Sequence, residues 1–99
     1  MEQKQKDIWL YSNPDTVKKR IIRYLPEGFE QYLFVSTRKN SKYMILNPQG
    51  KWIHFGRMGM EDYTKHADEQ RLINFRKRNK RWANAAMFSP AYLSYYLLW

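Results

Sequence analysis

Apolar side chains recur at two spacings along this chain, and the change from one to the other predicts a helix, a run of strands and then further helices. Val17, Ile21, Tyr24 and Leu25 fall on one face at helical spacing, with Lys19, Arg20 and Arg23 opposite. Ser12-Asn13-Pro14-Asp15 announces that helix: Asn13 can cap, Pro14 suits the first helical position, and Asp15 favours the positive helix end. Pro26 and Gly28 stop it near Leu25. Before it, Ile8 to Tyr11 make a short anchoring segment, and residues 1–6 read as a flexible polar tail.

From Phe29 onward the period becomes two. Tyr32 to Thr37, Lys42 to Asn47 and Lys51 to Phe55 predict three short strands, and the short loops between them predict an antiparallel meander. Gly56, Arg57, Met58 and Gly59 read as a flexible exit, and Asp62 to Asp68 lead into a second helix capped by Asp68. On a helical wheel of about 15 residues, Leu72, Phe75, Trp82, Ala83 and Ala86 form an apolar stripe. Arg71, Arg76, Lys77, Arg78, Lys80 and Arg81 cover most of the rest, and Asn79 interrupts the stripe as a polar group that needs partners if buried. Ser89-Pro90 opens a last helix, Ala91 to Leu98, apolar almost all round and therefore buried in this core or against a partner. The expected fold class is α+β: a small three-stranded antiparallel β-meander packed with two amphipathic helices and a short C-terminal helix, in one domain over residues 7–99.

Charge changes the picture more than composition does. Eighteen Lys and Arg against nine Asp and Glu give a formal net charge of +9, which calls for an anionic partner: nucleic acid, an anionic membrane or an acidic protein surface. The 99 residues support one core, rich in large aromatics at 17% of the chain, and the absence of cysteine excludes disulfides and thiolate metal sites. No apolar run is long enough to cross a bilayer, and the polar start lacks the run of a signal peptide.

His54-Phe55-Gly56, Gly59, Asp62-Tyr63-Thr64, His66, Asp68, Arg71, Phe75 and Arg78, followed by Ser89-Pro90 and Leu97-Leu98-Trp99, resemble a family of small, uncharacterised proteins of large double-stranded DNA viruses and their relatives. The resemblance runs from Lys42 to Trp99. It implies a viral source, presence in the virion and residence in host cytoplasm or nucleus during assembly, and it implies no established reaction.

The expected function is that of a non-enzymatic, virion-associated structural protein, a minor capsid or internal component. Its basic residues Arg71, Arg76, Lys77, Arg78, Lys80 and Arg81, with Lys19, Arg20 and Arg23, would contact DNA or an acidic capsid-protein surface. Tyr92, Tyr95, Tyr96, Leu98 and Trp99 would dock a protein partner. One alternative is a free nucleic-acid-binding protein without sequence preference. Tyr11, Tyr43, Trp52 and Phe55 could then stack on bases, although a half-buried sheet needs the same alternation. The other is a metal-dependent nuclease built on Asp62, His66, Asp68 and Glu69 with His54 as base; turn and cap roles explain those residues more simply, so no metal, cofactor, small-molecule substrate or catalytic residue is expected. Gly56-x-x-Gly59 could form a phosphate-holding nest but lacks the Lys-Ser/Thr of a P-loop.

Overall fold

A computed structural model describes residues 2–99. Helix α1 (Glu2–Asp7) leads through a 3-10 turn (Ile8–Leu10) into α2 (Pro14–Tyr24), and a second 3-10 turn (Phe29–Tyr32) enters the sheet. Strands β1 (Leu33–Val35), β2 (Ser41–Leu46) and β3 (Trp52–Arg57) form an antiparallel meander in the order β1-β2-β3. Short helix α3 (Tyr63–His66), helix α4 (Glu69–Arg78), a 3-10 segment (Lys80–Asn84), helix α5 (Pro90–Leu93) and a π-helical end (Ser94–Leu98) follow. The α+β class and the meander are as the periodicities predict.

The local signals explain most of the boundaries. Asn13 accepts hydrogen bonds from the backbone N–H groups of Asp15 and Thr16 and so caps α2. Asp68 does the same for α4 through Gln70 and Arg71, and Ser89 caps α5 through Tyr92. Register puts Tyr43 opposite Phe55 and Ile45 opposite Ile53 and Leu33. Their inward alternation meets Val17, Ile21 and Leu25 from α2 and Leu93, Leu97 and Leu98 from the C-terminal segment in one core, closed by Ile8.

Strand β1 is three residues long rather than the six expected from Tyr32 to Thr37, α3 replaces part of an expected lead-in, and three further departures bear on the site. The tail expected at 1–6 is helical from Glu2, and Lys4 holds it to the β1–β2 loop by donating to the carbonyls of Ser36, at 2.7 Å, and Arg38; Met1 lies outside the described residues. Strand β3 runs on through Gly56 and Arg57, which were expected to be a flexible exit. The second basic helix is ten residues long rather than about fifteen. Asn79 ends it by turning its side-chain amide back onto the Phe75 carbonyl at 3.1 Å, so the stripe from Leu72 to Ala86 is not one continuous helical face.

Candidate nucleic-acid interface

A buried polar network ties α2, the sheet and α3 together beneath the basic surface. Lys42 alternates with the core residue Tyr43 and so leaves β2 on the opposite side, yet it is only 2% exposed. Its ammonium lies 2.9 Å from the Asp62 carboxylate and also donates to the Tyr11 carbonyl at 3.2 Å. Asp62, as an acceptor-only carboxylate, takes the Thr64 hydroxyl proton as well. Ser12 must then donate to Thr64, at 3.1 Å, and accept from the Tyr43 hydroxyl, at 2.7 Å. Burial lowers the proton affinity of Lys42 while Asp62 opposes that fall, and burial pushes the Tyr43 hydroxyl well above its ordinary value.

This pair is the sole ion pair among the described residues. Arg71, Arg76, Lys77, Arg78, Lys80 and Arg81 are all exposed and none is matched by an Asp or Glu carboxylate within ion-pair distance, nor are Lys19, Arg20 and Arg23. The predicted basic residues do not form one stripe, however. The fold divides five of them between two recesses and leaves the other four outside both.

The larger recess has a volume of about 440 Å³. Arg71 and Arg78 from α4 and Arg57 from the end of β3 line it together with Phe75, Trp82 and Trp99, and Glu61 is the one acidic residue in its wall. Phe75 and Trp99 stack face to face, with ring centroids 4.3 Å apart and planes 5° from parallel. Gly56 forms part of the wall because Leu98 and Lys42 press against it: a Cβ there would come within 2.8 Å of Leu98 Cδ1. The sequence pattern does not single out Arg57, because the alternation reads as ending at Phe55, two residues before β3 does.

The smaller recess, about 400 Å³, gathers Arg20 and Arg23 from α2 with Arg76 from α4 over Tyr24, Tyr95 and Trp99. Lys77, Lys80 and Arg81 line neither recess, and neither does Lys19.

The remaining candidates take structural places. Leu98 is 2% exposed, Leu97 is fully buried, and the Tyr92 and Tyr96 hydroxyls bond to the carbonyls of Tyr24 and Ala83 within the chain. For Leu98 the expected docking role is corrected, because it completes this chain's own core with Leu93 and Leu97; Tyr92, Tyr95, Tyr96 and Trp99 are half-buried. Of the candidate metal ligands, Asp62 is engaged by Lys42 and Thr64, and Asp68 caps α4. Glu69 accepts from the Tyr63 hydroxyl, and His54 Nδ1 pairs with Ser36 at 2.6 Å. His66 Nδ1 accepts from the Asp68 N–H at 2.9 Å, which places its proton on Nε2, and that buried atom has no partner. Among the described residues, no three His, Asp or Glu side chains converge as a metal ion requires. No helix is long and apolar enough to cross a membrane. Gly56 sits inside a strand, so Gly56-x-x-Gly59 is not a loop nest.

No curated protein and no solved structure matches the chain. Residues 33–79, which carry the sheet, the buried Lys42–Asp62 pair and α4 to its cap, are similar to a family of unknown function (DUF5754).

Proposed function

We propose that this chain is a non-enzymatic protein that binds nucleic acid without reading its sequence, and that the larger recess is where a strand lies. The carrying observation is the juxtaposition there of three arginines from two elements with an aromatic wall, Trp82, Phe75 and Trp99, in a volume that suits a base. Phosphates would sit against Arg57, Arg71 and Arg78, and an unpaired base would stack on the exposed part of Trp82. The uncompensated positive surface around both recesses supplies long-range attraction. Support for a non-enzymatic role comes from Asp62, Asp68 and His66 Nδ1, whose hydrogen bonds are spent on caps and turns. The virion setting implied by the viral resemblance is a proposal about place; particle-bound protein that survives washing, in fixed ratio to the major capsid protein, supports it.

Fluorescence anisotropy with a labelled, hydroxyl-ended oligothymidylate tests the chemistry. Binding should weaken steeply with added salt, as counterion release requires. Arg71→Glu/Arg78→Glu should abolish it, and Trp82→Ala should cost about 1–3 kcal/mol, one stacked base. Undiminished binding by the charge-reversed protein refutes the reading.

A further inference from the structure

The smaller recess differs from the larger in having no Asp or Glu in its wall. Arg20, Arg23 and Arg76 converge there from two helices far apart in sequence, and no Asp or Glu side chain is among the residues that line it. Their guanidinium groups are instead placed by main-chain oxygens and aromatic rings. Arg20 donates to the Leu97 carbonyl at 3.4 Å and Arg76 to the main-chain oxygen of Trp99 at 3.3 Å. Arg23 lies over the Tyr24 ring at 5.3 Å and Arg76 over Tyr95 at 5.7 Å. Each guanidinium has five N–H donors in a rigid fork, so these contacts fix orientation and leave donors free. Arg20 is part-buried, and its proton affinity is lowered chiefly by that burial; Arg76 adds to the fall while Tyr24 and Asp62 oppose it. Three gathered positive charges repel one another, and an anion between them offsets that repulsion.

We propose that this recess binds a phosphate monoester. A monoester carries a charge of about −1.5 to −2 at neutral pH and three acceptor oxygens, which matches three arginine forks better than the single charge and two free oxygens of a backbone diester. The monoester has two sources: the phosphorylated end of a strand whose body lies in the adjoining recess, or a small free phosphate. The first source rests on the nucleic-acid reading above; the site itself does not.

Two titrations by calorimetry test the site and its source separately. In the first, phenyl phosphate should bind at least about tenfold more tightly than the diester dimethyl phosphate, with inorganic phosphate competing. Arg76→Gln should remove that preference and Arg23→Gln should reduce it. Both residues are exposed, and dispersed NMR spectra identify the folded variants. Should a variant fail to fold, Arg23→Lys and Arg76→Lys keep the charge while losing the fork, and they should lower the preference several-fold. Equal binding of monoester and diester, or a preference untouched by Arg76→Gln, overturns the proposal. In the second titration, a 5′- or 3′-phosphorylated oligothymidylate is compared with its hydroxyl-ended twin. A gain of about tenfold that disappears in Arg76→Gln supports the site with a strand end as source. No gain, with the phenyl phosphate preference intact, supports it with a small phosphate as source. If phenyl phosphate binds and neither oligonucleotide does, the nucleic-acid reading falls and the site stands.

Discussion

Lys42 and Asp62 owe their importance to the water they have lost. Taking both charges out of solvent costs several kcal/mol each, and their attraction with the Tyr11 carbonyl and the Thr64 hydroxyl offsets that cost only while all partners are present. Asp62→Ala leaves the ammonium buried against one carbonyl. It should destabilise the fold by about 3–5 kcal/mol in urea unfolding, a large share of the ~5–15 kcal/mol of a typical domain. Lys42→Met/Asp62→Leu, which removes both charges, should recover most of that loss. His66 makes a second residue-scale prediction. Burial, reinforced by the charge of Arg71, lowers its proton affinity in the fold. The unfolded chain therefore binds a proton first as pH falls, so the contribution of His66 is present above its ordinary value of about 6.5 and is lost below it. Denaturant midpoints measured at about pH 7.5 and pH 5.5 should fall less in His66→Gln than in the parent protein.

Elements carry the binding chemistry only while their ends are held. Asp68 satisfies two orphan N–H groups of α4, the helix that supplies Arg71, Arg76 and Arg78. Asp68→Ala should cost about 1 kcal/mol and speed hydrogen exchange at Gln70 and Arg71. It should also weaken oligonucleotide binding by slackening the rim of the larger recess, although Asp68 touches neither recess. Elements of this kind were the legible part of the sequence. Asn13-Pro14, Asp68 and Ser89-Pro90 are local capping signals, and the alternation through Tyr43, Ile45 and Phe55 is a local period. What stayed hidden depends on distant partners. Lys42 reads as an ordinary solvent-facing strand position until the segment bearing Asp62 closes over it, twenty residues later. The grouping of Arg20 and Arg23 with Arg76 is set by how α2 and α4 meet the C-terminal segment, which no spacing along the chain records. The early end of α4 turns on Asn79, whose amide chose the backbone four residues back over a place in the apolar stripe.

As a whole, the molecule holds eighteen Lys and Arg against nine Asp and Glu, with one ion pair among the described residues. Such a charge balance sets folding and binding against each other. Screening relieves the self-repulsion of the folded chain, so thermal unfolding should move to higher temperature as sodium chloride rises from low to moderate concentration. Over the same range oligonucleotide affinity should fall, and two curves with the same sign would contradict the charge argument. The indole of Trp99 adds a consequence of its own. One residue lines both hollows, its ring lying flat on Phe75 and its main-chain oxygen accepting from Arg76 of the trio. It is a party wall: a guest in either room that tilts it alters the neighbouring room, and by linkage whatever help or hindrance passes one way returns in equal measure.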